Sequence, residues 1–559
     1  MERRAHSSGV RGTAEGETEA QGRLAAGGGR ALNGRRFFSL FLAAASLFLG
    51  HLSPAQTAKG GPRPNILFIL VDDYGIKDVG MEGSKFYETP NIDALARSGM
   101  RFSQGYSACS VCSPSRASIL LGQYPTRHGI TNWIGEEVGA KFAKERQTKL
   151  LVPDYVRNLP GTGTTLADAL RQAGYKTFFA GKWHLGSKGA WPEDRGFDIN
   201  KGGWDSGGPQ GGYFAPWTNP SLPSGPPGQN VDQRLADETI SFIEKNADRP
   251  FLAYLSFYAV HSPLQTTKPL WAKYREKAGE QPKPGERFKI DRTLPVRVVQ
   301  DNPIYAGMID NMDNAVGRVL KKLDELGLAD NTLVILTGDN GGVVSGDHYS
   351  SCQFPLRGGK GRQWEGGTRV PFYIRVPGVT TAGSNCDTPV SGIDFFPTLL
   401  QLAGATAQPK QVVDGVSLVP LLKGGNIPAR PLFWHYPHYG NQGGEPSSII
   451  RLGDWKLIHY WEDGHNELYN LARDIGEQHD LAQAETARAT DLWAQLQSWL
   501  KETAARMPRP NPDYQTAWAD AKHQAALKAK ERLEKEHAEV LKPDWQPDPT
   551  WWKSEVTHD

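Results

Sequence analysis

The chain has 559 residues, 38% hydrophobic and 22% charged, with 62 Gly, 39 Pro and a net charge of +2. That length exceeds one small core and predicts a large domain with a smaller companion. The near-neutral balance excludes a bulk basic field for nucleic acid, so any anionic partner must be gripped by local charges.

Arg35-Arg36 followed by the apolar run Phe37 to Gly50 reads as an export signal. The run is short of a membrane span and gives way to small residues between Ser53 and Ala58. Residues 1–58 are therefore taken as a signal peptide with a long n-region. The mature form then has no membrane span and is periplasmic or secreted. A retained anchor is the competing reading, and Sec and twin-arginine export both stay open. Four cysteines fit an exported protein with few disulfides, with Cys352 and Cys386 as candidates for a bridge. The one glycosylation-like triplet, Asn219-Pro220-Ser221, is disqualified by its proline.

Asn65 to Val71 is a continuous apolar run, the pattern of a strand buried on both faces of a parallel sheet. Thr89-Pro90 starts a helix with Thr at the N-cap, and Gly99 closes it. A short helix between Gly163 and Gly174 leads into a strand over Tyr175 to Ala180. Phe251 to Val260 reads as a strand ending at His261. Ile309, Met312, Val316, Val319, Leu323 and Leu326 keep one apolar helical face. The strand Thr332 to Leu336 follows and ends at Asp339-Asn340. The alternation predicts an α/β fold, a sheet sandwiched by helices. Beyond about residue 405 the pattern changes. Ser448 to Arg451, Trp455 to Tyr460 and Glu467 to Leu471 read as short antiparallel strands, and Thr486 to Ala505 as a helix. From Met507 onward Pro and charge dominate. Ala517 to Leu541 reads either as an exposed helix docked by Trp545, Trp551 and Trp552 or as a solvated tail.

Asp72-Asp73 and Asp339-Asn340 each stand at the carboxyl end of a buried strand, where sites form in open α/β sheets. Together they offer three carboxylates and an amide oxygen, hard ligands for Ca²⁺ or Mg²⁺ rather than zinc. Taken singly, each pair also fits an ordinary turn. Cys112-Ser113-Pro114-Ser115-Arg116 reads locally as a turn, or as half of a Cys109-x-x-Cys112 redox pair. Three further blocks carry cations: Gly181-Lys182-Trp183-His184, Val260-His261-Ser262-Pro263, and Gly359-Lys360-Gly361 followed by Trp364 to Pro371.

The stretch Cys112 to Gly122 resembles the core motif of the type I sulfatases, arylsulfatase A-like members of the alkaline phosphatase superfamily. It departs at Leu121, where Thr is usual. The three cation blocks match further family blocks, and the resemblance spans roughly residues 62 to 480. It implies an alkaline phosphatase-like catalytic domain over residues 62–405. A C-terminal subdomain of four antiparallel strands and a helix follows over 406–506, then a tail over 507–559. It implies that a maturation enzyme oxidises Cys112 to formylglycine, whose hydrate is the nucleophile. One hydroxyl attacks sulfur, and the second collapses to the aldehyde and expels sulfate. It further implies one Ca²⁺ held by Asp72, Asp73, Asp339, Asn340 and an oxygen of modified Cys112. Lys182, His261 and Lys360 would contact the sulfate, with His261 or Lys360 protonating the leaving alcohol. Arg116 and His184 would hold the formylglycine hydroxyls.

Within the family, Tyr124 to Ile134 and Phe433 to Tyr439 look like bacterial enzymes acting on sulfated polysaccharides, so the expected substrate is a sulfated carbohydrate. The loop Gly202 to Trp217, with Trp204, Asp205 and Tyr213, is a candidate lining for the sugar pocket, as are His348, Arg362 and His438. Lys188, just outside the Lys182 block, is expected to be a solvated surface charge. The competing readings are a phosphate or phosphonate ester hydrolase of the same superfamily and a catalytically dead carbohydrate-binding protein.

Overall fold

All seven side chains of Asn65–Val71 are buried. In the computed structural model, which describes residues 63–280, 285–408 and 410–547, this run is strand β1 of an eight-stranded sheet. The other strands are β2 (Met100–Phe102), β3 (Lys176–Gly181), β4 (Ile199–Lys201), β5 (Phe251–Ser256), β6 (Thr332–Gly338), β7 (Phe372–Arg375) and β8 (Ser384–Cys386). Their spatial order is β8-β2-β7-β6-β1-β5-β3-β4. Only β7 runs antiparallel to its neighbours. The sheet is therefore mixed, parallel throughout except for β7.

Side chains alternate across a strand, so β1 feeds two cores. Leu67, Ile69 and Val71 pack in one, with Leu235 and Ile243 of α4 and Ile309, Met312 and Val316 of α6. Ile66, Phe68 and Leu70 pack in the other, with Ile119 and Leu120 of α2, Leu166 and Leu170 of α3 and Leu399 of α7. The helices are α1 (Pro90–Ser98), α2 (Cys112–Leu121), α3 (Leu166–Gln172), α4 (Val231–Lys245), α5 (Lys268–Glu280), α6 (Pro303–Glu325) and α7 (Phe395–Ala403).

Strand β5 stops at Ser256, four residues earlier than the apolar run predicts. Phe257 to Val260 bends over the top of β1 instead. Phe257 N–H donates to Leu70 O, Asp72 N–H to Ala259 O, and Val260 N–H to Asp72 O, all within 2.9 Å. This crossing fixes the backbone of Asp72. Thr89 stands at the N-cap of α1 but does not cap it with its side chain. Its hydroxyl donates to Asp93 at 2.9 Å. The cap is long-range: Asp313 of α6 accepts the N–H groups of Asn91 (3.1 Å) and Ile92 (2.8 Å). The candidate Cys352–Cys386 bridge does not form, and all four cysteines are free. Cys386 lies in edge strand β8 opposite Phe102, whereas Cys352 lies in a loop whose neighbours Ser351 and Gln353 bond Asp78.

Residues Leu432–Tyr436 (β9), Ser447–Leu452 (β10), Trp455–Tyr460 (β11) and Asn466–Asn470 (β12) form a consecutive antiparallel sheet. Helix α8 (Thr486–Glu502) covers it, with Leu492, Leu496 and Trp499 against Ile450, Leu457 and Leu468. Helix α9 (Ala517–Val540) packs Leu533 against Phe288 and Tyr349. Trp545 lies 5.6 Å from the ring of Trp271, so the tail helix is docked rather than solvated. Trp551, Trp552 and the export segment 1–58 lie outside the described residues. No helix among the described residues is long and apolar enough to cross a membrane.

Asp313 gives the first prediction. Asp313→Ala strands two N–H groups at the start of α1 and should cost about 1–3 kcal/mol. A lower denaturation midpoint is expected, and an unchanged midpoint would contradict the long-range cap.

Candidate active site

Four adjacent parallel strands, β6-β1-β5-β3, end on the same rim of the sheet. From β6 the chain continues into Asp339-Asn340, from β1 into Asp72-Asp73, from β5 through the crossing to His261, and from β3 into Lys182 and His184. Cys112 reaches the same place as the first residue of α2, with Val111 extended before it. A buried helix start adds its partial positive charge there.

Cys112 is 2% exposed, and its Sγ lies 3.3 Å from Lys182 Nζ, 3.6 Å from Asp72 Oδ1 and 3.9 Å from Asp73 Oδ1. Donor atoms of Asp72, Cys112 and Asp339 all lie within 4.8 Å of one another. Three cations face the three carboxylates. Lys182 Nζ sits 2.5 Å from Asp72 Oδ2, and Lys360 Nζ 2.8 Å from Asp73 Oδ2. Arg116 Nε sits 2.7 Å from Asp339 Oδ2, with its Nη2 3.3 Å from Asp72 Oδ1. Arg116 also donates through Nη1 to Lys182 O and Ser256 Oγ, both at 2.8 Å.

Asp73 adopts a left-handed backbone, φ 56°, which costs a non-glycine residue and clusters at functional sites. Its N–H donates to Asp339 Oδ1 at 3.0 Å. Asn340 Nδ2 donates to Asp73 Oδ1 at 2.8 Å. Asn340 Oδ1 is buried with no hydrogen-bond partner. An orphaned amide oxygen beside three carboxylates is a donor set that fits a hard divalent cation, with Asp72, Asp73, Asp339 and Asn340 as the residues able to hold it.

The charge states follow from burial and partners. Burial pushes Asp72 up, and Lys182 and Arg116 pull against it while Asp339 and Asp73 add to it. Burial acts the same way on Asp73, but Lys360, with Lys182 behind it, overrides it and holds that carboxyl below the usual range. Burial opposes the charge on Lys360, but Asp73 together with Asp347 and Asp72 more than offsets it and holds the amine protonated. Burial, then Lys360 and Lys182, lower His261 to about 3, so its imidazole is neutral. His261 Nδ1 meets Ser262 O at 2.8 Å, leaving Nε2 3.8 Å from Asp73 Oδ2. Burial and Lys182 likewise keep His184 neutral. His184 Nε2 meets Ile134 O at 2.8 Å and its backbone is left-handed, φ 54°. The thiol of Cys112 is pushed well up by burial, so as a plain cysteine it is a poor nucleophile.

All ten chemistry-bearing positions named from sequence thus meet on one rim. The candidate sugar contacts divide. The loop Gly202 to Trp217 does border the site: Trp204 O accepts the His184 N–H at 3.2 Å. A Cβ at Gly207 would meet the His184 ring at 2.6 Å, so the loop can approach only as glycine. Asp205 is exposed. Tyr213, however, is buried and donates its hydroxyl towards Tyr258 O and His261 O, both at 2.7 Å. It holds the His261 backbone. Arg362 is fully buried, pinned by Gln442 O (2.8 Å) and Asp291 Oδ2 (3.1 Å). His438 is fully buried against Thr131 Oγ1 at 2.9 Å. Neither is open to a sugar. His348 is exposed, and so is Lys188.

Sequence reasoning missed Ser256 and Asp347. Ser256 ends β5 and donates to Lys182 O while accepting from Arg116. A lone hydroxyl closing a buried strand was the available signal. Asp347 Oδ2 stands 4.0 Å from Lys360 Nζ, and nothing in its Gly-Ser-rich loop marks it.

Comparison with known proteins gives the family. The family model described as Sulfatase matches residues 64–405, and that for N-sulphoglucosamine sulphohydrolase, C-terminal, matches residues 360–506. A protein named Sulfatase from Formosa agariphila is 32% identical over 526 residues, covering 80% of this chain and 90% of that one. The N-acetylgalactosamine-6-sulfatase of Canis lupus familiaris is 31% identical over 432 residues, covering 72% and 73%. The crystal structure of Ps i-CgsB in complex with k-i-k-neocarrahexaose superposes with a TM-score of 0.65 at 28% identity, covering 85% of this chain and 99% of that one. With more than half its length matched by one family model, and a relative 32% identical over 80% of it, the chain belongs to the sulfatase family and is a sulfuric ester hydrolase.

Proposed function

We propose that this enzyme hydrolyses a sulfate ester on a sulfated carbohydrate, breaking the S–O bond, with Cys112 converted to formylglycine and one Ca²⁺ bound beside it. The observation that carries the reading is the position of Cys112: its side chain starts a buried helix and points among Lys182, Asp72 and Asp73. The carbohydrate class is supported by the sugar-directed relatives, one an N-acetylgalactosamine-6-sulfatase and one bound to a neocarrahexaose. Catalysis is assigned to residues 62–405, with 406–506 as support. Lys456 of β11 is buried between Glu365 (3.2 Å) and Glu477 (2.8 Å), tying the small sheet to the segment that carries Lys360. Export to the periplasm or beyond rests on residues 35–58, outside the described residues.

A sulfate monoester carries one negative charge over three oxygens, and more charge develops on the bridging oxygen as it leaves. Lys182 and Lys360 are fixed beside Cys112 to oppose that charge in a partly dry pocket. As formylglycine, Cys112 supplies a hydrated aldehyde, one hydroxyl to take sulfur from the ester and a second whose deprotonation lets sulfate leave. Ca²⁺ at Asp72, Asp73, Asp339 and Asn340 would add positive charge and acidify a nearby hydroxyl. Arg116 locks Asp72 and Asp339 together and, with His184, orients the modified side chain. Of His261 and Lys360, Lys360 is the one held protonated, and it delivers the proton to the departing alcohol. Ser256 and Tyr213 hold the backbones of Lys182 and His261. The maturation enzyme meets the Cys-x-Pro-x-Arg core before folding, since all of Cys112–Leu121 is buried afterwards.

Mass spectrometry of the peptide bearing Cys112 tests this reading. A loss of about 18 Da against cysteine is expected when the maturation enzyme is co-expressed. Plain cysteine throughout an active preparation would overturn it. Asp339→Ala is expected to abolish turnover and lower the Ca²⁺ measured by atomic emission, because a hard cation loses a charged ligand and Arg116 its partner. Full Ca²⁺ content with full activity would refute the assignment. Lys360→Ala should cut kcat/KM by ~10²–10³, the usual cost of losing a preorganised group that opposes developing charge. Exposed Lys188→Ala should change it by less than about threefold, as for a screened surface charge. Equal effects would place the anion pocket elsewhere.

A further inference from the structure

Helix α9 lies beyond the residues that either family model matches. It leans on the hairpin Phe288–Asp291/Leu294–Arg297, where Glu534 accepts the N–H groups of Arg287 (2.7 Å) and Phe288 (2.9 Å). Between its first half and the body lies a cavity of about 520 Å³. Four cations line it, Arg146, Lys149, Arg292 and Lys522, against two carboxylates, Glu445 and Glu462. Lys149 is paired with Glu462 at 2.7 Å, and Arg292 with Glu445. The other two cations bond uncharged oxygens: Lys522 Nζ donates to Gln147 O at 2.8 Å, and Arg146 to the side-chain oxygen of Asn441. The net excess is therefore two positive charges in one pocket of a chain whose total is +2. Half-buried Tyr439 and Tyr514 add ring surface to the same cavity.

The loop 439–444 joins this cavity to the catalytic pocket. One side of it lines the cavity through Tyr439 and Asn441. Its other side packs on Gly361, so closely that a Cβ at Gly444 would meet Gly361 O at 1.6 Å. From the same loop Gln442 donates to Asp347 at 2.7 Å, and Asp347 faces Lys360.

We infer that the cavity between α9 and the loop 439–444 is a distal subsite for a second sulfate-bearing unit of an oligosaccharide whose scissile sulfate lies at Cys112. This rests on the carbohydrate reading above and deepens it from a sulfated sugar to a multiply sulfated chain. Lys522 and Arg146 take the sulfate, because they carry the charge that no carboxylate in the cavity neutralises. The tyrosine rings offer faces to the sugar. A small aryl sulfate fills only the catalytic pocket and does not reach the cavity.

The test compares 4-nitrophenyl sulfate with hexasaccharides of carrageenan, chondroitin sulfate and heparin. Substituting Lys522→Ala and Arg146→Ala together should raise KM for the preferred hexasaccharide about tenfold or more, the loss of one to two charge-assisted bonds. Its kcat should stay within about twofold, as for a group that binds ground state and transition state alike. Neither constant for 4-nitrophenyl sulfate should move by more than about twofold, and Lys522→Arg with Arg146 intact should keep the wild-type KM. Hexasaccharide turnover with a KM indifferent to the double substitution overturns the subsite and leaves the carbohydrate reading standing. Equal losses on both substrates also overturn it, since the residues would then act on the fold. Turnover of the aryl sulfate with none of any hexasaccharide overturns both.

Discussion

Asp72, Asp73 and Asp339 are buried in one pocket, and charge at that depth persists only when it is neutralised. Arg116, Lys182 and Lys360 supply the three opposing charges from helix α2, the end of β3 and the loop before Glu365. Much of the architecture serves this balance. Removing one partner would leave its counterpart stranded in a dry site, which typically costs 3–5 kcal/mol. The arrangement is thus structural and electrostatic at once. A balanced cluster of three and three becomes net positive on taking up a divalent cation, and suits an anionic ester.

Parallel strands explain how so many charges reach one place. Strands β6, β1 and β5 are buried along their lengths, β3 from its second residue on, and the charged groups of the site lie beyond their carboxyl ends. Their N–H and C=O groups pair within the sheet, and the first residues beyond it are free to carry chemistry. The crossing at Phe257 to Val260 and the left-handed Asp73 then hold that rim rigidly. Such a fixed field is what a reaction developing charge on a leaving oxygen needs, because no reorganisation has to be paid for during the step.

The strand ends were legible because buried apolar runs stop abruptly at Asp72, Lys182 and Asp339, and the motif blocks gave the remaining positions. What escaped has identifiable causes. Strands β2, β4, β7 and β8 have three or four residues each, too short for a periodicity. The cap of α1 comes from Asp313, more than 200 positions away. Arg362 and His438 looked like open polar groups, but their partners Asp291 and Thr131 are remote in sequence, and burial cannot be read from residue type. The end of β5 was misplaced because Phe257 to Val260 is as apolar as a strand, while its hydrogen bonds go across β1.

Helix α9 lies beyond the two segments that the family models match, beside the loop that touches Gly361. The central claim, though, concerns the bond that breaks at Cys112. Turnover in ¹⁸O-enriched water, with the label followed by mass spectrometry, addresses it directly. Attack on sulfur predicts ¹⁸O in the released sulfate and an unlabelled alcohol. Label in the alcohol would mean that carbon–oxygen cleavage occurs, and would contradict the account.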